Sequence, residues 1–364
     1  MTLAATVRED ISTASQGRAP RQPRLALLGT GTVGRAFVAR HQRLAQHGLT
    51  LPAFEFLANS RGTFNCDNTP DDVLEIANQA VRNGEPREID ASRLRRGDIV
   101  VDATASDAVA ARHADWLSRG IRVVTANKLG NGADLLRAQA VARAQREGHA
   151  QYGDSATVGA GLPLLRSIRE LVAGGDRIHA VEGVLSGSLA WLFDRYDGMR
   201  PFSGFVREAR EAGYTEPDPR IDLSGEDVRR KLLILARAAG IALEAHEVRV
   251  DSLVPELLAA ATDDELDAAL ASLDVPLREH YQDAYRDGAK LRFVGRFDAS
   301  GASVGLRALP ADHPLCGGSG TDNRVAIHSD RYRDQPLVIQ GPGAGAEVTA
   351  AGLLDDVIRI AQLQ

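Results

Sequence analysis

Cysteine is scarce: the 364 residues hold two, Cys66 and Cys316. Two isolated thiols make neither a disulfide framework nor a metal-ligand cluster, so a reducing, cytoplasmic setting is expected. Neither sign of charge dominates. Lys plus Arg number 43 against 49 Asp plus Glu, a net charge of −6. That balance gives no reason to expect nucleic acid or an acidic membrane surface as partner. No run of about 18 or more apolar residues occurs, so no transmembrane helix is expected. No repeat of solenoid period and no low-complexity tract is present. The nine histidines show no paired metal spacing. Residues 1–23 carry Arg8, Arg18 and Arg21 among small polar residues and lack the apolar centre of a secretory signal. They read as a disordered N-terminal extension.

What remains is an ordinary globular composition, 44% hydrophobic and 25% charged. The length suits about two domains and a core that needs no staples. Regular patterning begins at Arg24. Leu25–Leu28, Leu51–Ala58, Ile99–Thr104 and Ile121–Thr125 read as strands, and Val33–Leu44, Asp71–Val81, Ala108–Arg119 and Asp134–Glu147 as helices. Strands alternating with helices mean βαβ units and a parallel sheet. After Tyr152 the character changes to α+β: strand-like Ile178–Leu185, a long helix over Glu226–Ala239, a helical and acidic stretch over Leu253–Leu277, a hairpin over Phe293–Leu309, two strands at Val325–His328 and Pro336–Gln340, and a last helix.

Gly29-Thr30-Gly31-Thr32-Val33-Gly34 fits the G-x-G-x-x-G pattern between a strand and a helix. Gly29 serves the tight turn, Gly31 the approach of a pyrophosphate, and Gly34 the close packing of helix on sheet. The helix start then offers N–H groups to phosphate. The second strand ends Asn59-Ser60-Arg61 with no carboxylate for a ribose 2′-hydroxyl. Ser60 and Arg61 suit a 2′-phosphate, so NADP is expected ahead of NAD. Thr104 and Lys128 follow strands at their carboxyl ends, where ligands of open α/β sheets sit. The expected fold is thus α/β: a Rossmann-type domain over residues 24–153, an α+β domain over 154–340, and a final segment, 341–364, returning to the first domain.

The stretch from Gly213 to Asp227 holds two prolines and five carboxylates before a helix. Ser224 reads as its N-cap, with Asp227 as partner. Asp227 and Lys231 are i and i+4 and share one helix face. The bland reading is a capped surface helix with one weak ion pair. The functional reading is a carboxylate–lysine pair that protonates a forming alkoxide. Thr157–Pro163 and Gly341–Gly345 are further glycine-rich turns, and N–H groups around Gly343 are placed to close over a ligand.

These residues resemble the homoserine dehydrogenase family. GYTEPDP through LSG to RKLLILAR (from Gly213) is the strongest match. ATVGAGLPLL (from Ala156), GVLSGSLAWLF (from Gly183), GSGTDN (from Gly318) and PLVIQGPGAGAEVTAAG (from Pro336) support it over residues 24–364. The wording is similar to the dehydrogenase half of bifunctional aspartokinase–homoserine dehydrogenases, and here a stand-alone chain without kinase region or ACT domain is expected. The resemblance implies reversible reduction of L-aspartate 4-semialdehyde to L-homoserine with NADPH or NADH, on the route to threonine, methionine and isoleucine. It implies Lys231 as proton donor, with Lys128 and Asp227 as catalytic partners. It also implies Glu216, Asp222, Gly187 and Ser188 at the substrate, and a homodimer formed through second-domain strands. The family's cation loop implies Na⁺ or K⁺ on the backbone carbonyls of Val158, Ala160 and Leu162. Its usual glutamate is here Ser155, with Asp154 one step earlier. Residues 61–90 carry no family landmark. Two other readings stay open: a reductase of another amino-acid semialdehyde, and a non-catalytic ligand sensor. A sensor has no need of Lys128, Glu216, Asp227 and Lys231 together.

Overall fold

The structure, a computed structural model, describes residues 21–81 and 91–362. The expected N-terminal extension lies outside these residues except for its last three positions, as do residues 82–90 of the insert and the two C-terminal residues.

The first half contains β1 (Arg24–Leu28), α1 (Thr32–Gln46), β2 (Ala53–Asn59), β3 (Gly62–Asn65), α2 (Pro70–Gln79), β4 (Ile99–Asp102), α3 (Asp107–Ala110), α4 (His113–Ser118), β5 (Arg122–Thr125), α5 (Leu135–Gly148) and β6 (Tyr152–Gly153). They form a sheet of order β3-β2-β1-β4-β5-β6. The pairs β1–β2, β1–β4, β4–β5 and β5–β6 are parallel, and β3 runs antiparallel to β2. The apolar run of β1 is continuous because both sheet faces are covered. Leu25 and Leu27 enter one core, Ala26 and Leu28 the other. The edge strand β3 was not anticipated. Its Gly-Thr-Phe-Asn run is too short for alternation to show.

The second half adds α6 (Leu164–Ala173), β7 (Ile178–Val184), α7 (Gly187–Arg195), α8 (Phe202–Glu211), α9 (Arg220–Leu223), α10 (Glu226–Ala238), β8 (Val248–Val250), α11 (Glu256–Ala260), α12 (Leu266–Ala269), α13 (Asp274–Arg286), β9 (Ala289–Asp298), β10 (Gly301–Pro310), β11 (Asp322–Ser329), β12 (Leu337–Pro342) and α14 (Ala346–Gln362). The second sheet has the order β12-β11-β7-β9-β10-β8. Its β9–β10 hairpin turns between Asp298 and Gly301, within the segment that reads as a hairpin. Val181, Phe293 and Val325 on one face of this sheet pack with Leu232 and Leu235 of α10. The acidic stretch around Leu253–Leu277 is helical but broken into short pieces. The last helix packs on the first sheet: Leu353, Leu354 and Val357 share a core with Leu25 of β1 and Phe37 of α1. Among the described residues no helix is long and apolar enough to cross a membrane.

Candidate active site

The register of the first sheet gathers its strand ends. Leu28 pairs with Ala58 and with Asp102, and Asp102 with Thr125. Gly29, Asn59, Thr104 and Asn127-Lys128 therefore leave the sheet along one edge. The order reverses between β1 and β4, the switch point at which α/β sheets open a crevice. Gly29 has φ +95°, and a Cβ there would stand 2.8 Å from the Ala103 carbonyl oxygen. A Cβ on Gly34 would collide with the Gly29 carbonyl. Gly31 faces open space, with nothing within 4 Å of its missing Cβ. Two glycines thus serve packing and one leaves room for a ligand. Helix α1 has no acidic residue in its first turn and no side-chain cap, so its N–H groups stay available to an anion.

Asn59 stands where a carboxylate would select NAD. Its amide donates to Thr30 Oγ1 and to the Ala77 carbonyl, each at 2.8 Å, and the Thr30 hydroxyl donates to Asn78 Oδ1 at 2.9 Å. The second strand, the glycine loop and the end of α2 are thereby tied together. Ser60 and Arg61 beside it are exposed. The Arg61 guanidinium lies 3.5 Å from the Ala77 carbonyl.

Below this edge lies a buried chain with no counterpart in the sequence reading. Asp102 and His113 are fully buried. His113 Nε2 lies 3.0 Å from Asp102 Oδ2, and its Nδ1 lies 3.0 Å from the Tyr152 hydroxyl. Burial, with the nearby Asp154 and Asp102 charges, holds the Tyr152 hydroxyl far above its ordinary pKa. Tyr152 thus donates to the ring, and the ring donates to the carboxylate. The other Asp102 oxygen accepts from the Thr104 N–H at 2.9 Å and the Thr104 hydroxyl at 2.7 Å. The chain thereby fixes the wall against which Gly29 turns.

Helix α10 begins after Gly225, whose φ is +78° and whose missing Cβ would meet Phe293 at 2.9 Å. Glycine is the residue this entry accepts. Ser224 stands one residue before the N-cap, which is Gly225; its hydroxyl donates to the Ile221 carbonyl and accepts from the Glu226 N–H at 3.2 Å. Asp227 in the first turn and Lys231 one turn on form an ion pair of 2.8 Å. Asp227 also meets Lys128 at 3.3 Å. The Lys231 ammonium donates to the Leu185 carbonyl at 2.6 Å and is only 10% exposed at its side chain. Burial works against the Asp227 charge, but the two ammonium groups outweigh it and hold the carboxyl well below the usual carboxylate range. Asn127 sets the position of Lys128: its side chain donates to the Ser106 carbonyl at 2.9 Å and accepts from the Leu129 N–H at 3.1 Å. Arg237, at the far end of α10, donates to the Asn131 and Ala133 carbonyls at 2.6 and 2.8 Å and ties the helix to the Lys128 loop.

The other expected substrate residues cluster beside this pair. Ser188 donates to Asp222 Oδ1 at 2.7 Å, and the Glu216 N–H donates to Asp222 Oδ2 at 2.9 Å. Asp222 therefore binds the 213–218 loop to the start of α7. The Glu216 side chain is exposed and forms no ion pair among the described residues. Gly187 packs under the Thr321 carbonyl, 3.1 Å from where its Cβ would be. The Thr215 hydroxyl in the same loop is buried and has no partner among the described residues.

The turn expected to hold a cation is bent by Gly159 and by Ala160, which has φ +52° without being glycine. Asp154 is fully buried and bridged by Arg169 at 2.6 Å and Asn131 at 2.8 Å. Burial opposes its charge, yet the arginine holds it below its ordinary pKa. Ser155 gives its N–H and hydroxyl to Asp356 of α14, both at 3.0 Å. The Leu162 carbonyl accepts from the Leu164 N–H at 2.8 Å. Gly343 lies against Asn323, and Gly341 against Leu162.

A family model described as homoserine dehydrogenase matches residues 163–358, and one described as homoserine dehydrogenase, NAD binding domain, matches residues 29–153. The homoserine dehydrogenase of Schizosaccharomyces pombe is 35% identical over 355 residues, covering 92% of this chain and 94% of that protein. The chloroplastic bifunctional aspartokinase/homoserine dehydrogenase 2 of Zea mays is 47% identical over 266 residues, 72% of this chain. The chain spans only 29% of that longer protein. Among solved structures, a hyperthermophilic archaeal homoserine dehydrogenase in complex with NADPH superposes with a TM-score of 0.71 at 21% identity, over 93% of this chain and 97% of that one.

Proposed function

The chain belongs to the homoserine dehydrogenase family, and from that premise we propose that it catalyses the reversible NAD(P)H-dependent reduction of L-aspartate 4-semialdehyde to L-homoserine. The observation that carries the reading is the Lys128–Asp227–Lys231 cluster beside the crevice of the glycine loop.

The cofactor's residues fit: Gly31 leaves open space at an uncapped helix start, while Gly29 and Gly34 are packed against backbone. Thr30, Thr32, Val33, Thr104, Lys128 and Gly343 complete the proposed contact set. A nicotinamide bound here would supply the hydride to the aldehyde carbon. As the aldehyde carbon accepts it, the Lys231 ammonium gives a proton to the carbonyl oxygen and the alcohol forms. The lysine regains its proton from solvent, and in the reverse direction the neutral amine takes the hydroxyl proton. Leu185 and Asp227 hold the ammonium in place, which is the orientation such a transfer needs. Lys128 shares Asp227 and is assigned to the reacting side of the substrate. Glu216, exposed and unpaired, is assigned to the substrate ammonium. Asp222 is assigned beside it, oriented by Ser188, with Gly187 shaping the same loop.

Exposed Ser60 and Arg61, and the lack of a carboxylate at Asn59, favour NADP over NAD. For Na⁺ or K⁺ the Val158, Ala160 and Leu162 carbonyls offer a neutral donor set, because Asp154 and Asp356 are both engaged. No step is routed through a cation. We assign residues 24–153 with 341–364 to the cofactor and 154–340 to substrate, catalysis and a homodimer contact, and place the protein in the cytoplasm. Turnover of L-homoserine with NADP⁺ or NAD⁺, with trapping of the semialdehyde, tests the reading. Folded protein that binds NADPH but leaves L-homoserine unchanged overturns it.

A further inference from the structure

Asn323, at the second position of β11, has no part in the chemistry above. It is 1% exposed, and among the described residues neither its Nδ2 nor its Oδ1 has a hydrogen-bond partner. A buried amide with both polar atoms unpaired is unfavourable, and native chains keep very few. Its place in the sheet is specific. On one side it pairs with Gly341 of β12. On the other side, Arg324 pairs with Val184, the residue before Leu185, whose carbonyl holds Lys231. The strand position thus lies between the proton donor's anchor and the start of the Gly341–Gly345 loop.

The carboxamide sits directly beneath Gly343, so that a Cβ on Gly343 would collide with Asn323 Oδ1. The loop is flanked by Gly341 at φ +154° and Gly345 at φ +116°. Both conformations are ones glycine permits and other residues resist. Pro342, Ala344 and Gly345 are exposed, while Gly343 is buried on the amide. A donor and an acceptor side by side match the N–H and C=O of an extended backbone. Gly343 of this loop lies against the amide.

We propose that Asn323 is a positioning residue for the cofactor. Its carboxamide is the latch of the Gly341–Gly345 loop and takes backbone partners there when the loop settles over bound dinucleotide. The latch rests on the dinucleotide reading above and goes beyond it by giving the second half of the chain a residue that senses the closed loop. Leucine matches the shape of asparagine without its polar atoms. Aspartate keeps the acceptors and loses the donor.

The test uses the full chain carrying Asn323→Leu or Asn323→Asp. It measures ligand-free melting temperature, NADPH affinity by fluorescence titration, and hydrogen exchange of residues 341–349 with and without NADPH. The expected result for Asn323→Leu is an unchanged or raised melting temperature, NADPH affinity weakened about 10-fold, the scale of one or two lost hydrogen bonds, and loss of the protection that NADPH gives the wild-type loop. A lowered melting temperature with unchanged affinity and unchanged protection overturns the latch and makes Asn323 a packing residue. Should Asn323→Leu fail to fold, Asn323→Asp is judged by the same affinity and exchange criteria. Wild-type protein that shows NADPH protection of the loop but no homoserine turnover refutes the dehydrogenase reading and leaves the latch standing. Wild-type protein that binds no NADPH refutes both.

Discussion

Replacing Asp227 by asparagine removes one charge and almost no volume. The carboxylate serves two ammonium groups, Lys231 at 2.8 Å and Lys128 at 3.3 Å. The amide can accept from one of them and must turn its own N–H groups toward the other. Unit charges about 4 Å apart interact by about 4 kcal/mol at an effective dielectric of 20. The Asp227 side chain is 40% exposed, so solvent screening reduces each pair to roughly 1 kcal/mol. Two pairs bear on the position of the proton donor, which predicts a loss in kcat/KM of roughly 10- to 100-fold, at about 1.4 kcal/mol per factor of ten. Global stability should fall by no more than about 2 kcal/mol, the sum of the two screened pairs. The assay is homoserine oxidation across pH 5 to 9, beside a thermal melt. Because its folded pKa is depressed, Asp227 is charged throughout that window and protonates only as pH falls below the ordinary carboxylate range. The variant's deficit should therefore be constant with pH. A deficit that titrates between about pH 5 and 7, or an unchanged kcat/KM, would show that the Asp227 charge does not position the proton donor.

Arg61→Ala should raise KM for NADPH at least tenfold more than KM for NADH, since only NADPH carries the phosphate a guanidinium pairs with; equal changes would remove Arg61 from cofactor selection. Gly34→Ala places a Cβ on the Gly29 carbonyl, so NADPH titration should show binding weakened more than tenfold. Retained affinity would show that the loop can yield. Asp154→Ala breaks an ion pair whose carboxylate is fully buried and whose Arg169 side chain is 40% exposed. The expected loss is about 2–3 kcal/mol, less than the roughly 3–5 kcal/mol of a fully buried pair. Asp154 has a depressed pKa, so its contribution is present above the unfolded value near pH 4 and is lost as pH falls through the folded one. Melts of the two proteins should thus converge in acid, and a gap that stays constant down to pH 2 would contradict the assignment.

Legibility followed sequence distance. The glycine loop could be read because its strand, turn and helix are contiguous and each glycine answers a local steric demand. Asp227 and Lys231 could be read because i and i+4 meet on any helix. Asp102, His113 and Tyr152 could not, since positions 11 and 39 residues apart meet only through β4, α4 and β6. The proposed place of Asp222 at the substrate comes from the family resemblance of its motif. Its bonds to Ser188 and to the Glu216 N–H depend on how α7 and the 213–218 loop pack. Ser224 has the right composition for a cap, but Gly225 takes that place because Phe293 of another strand leaves no room for a side chain. Asn323 closes the GSGTDN block that supports the resemblance, but its orphaned amide is visible only once its surroundings are folded.

The proposed role of Lys231 is to give the proton at a dehydrogenase site whose cofactor is held chiefly by the glycine loop. Its most direct test is Lys231→Met, assayed for homoserine turnover with NADP⁺ and for NADPH affinity in the same preparation. The expected kcat is lower by roughly 100-fold or more, the scale of a lost general acid, with NADPH affinity within a few-fold of wild type. Near-normal kcat with intact cofactor binding would contradict it.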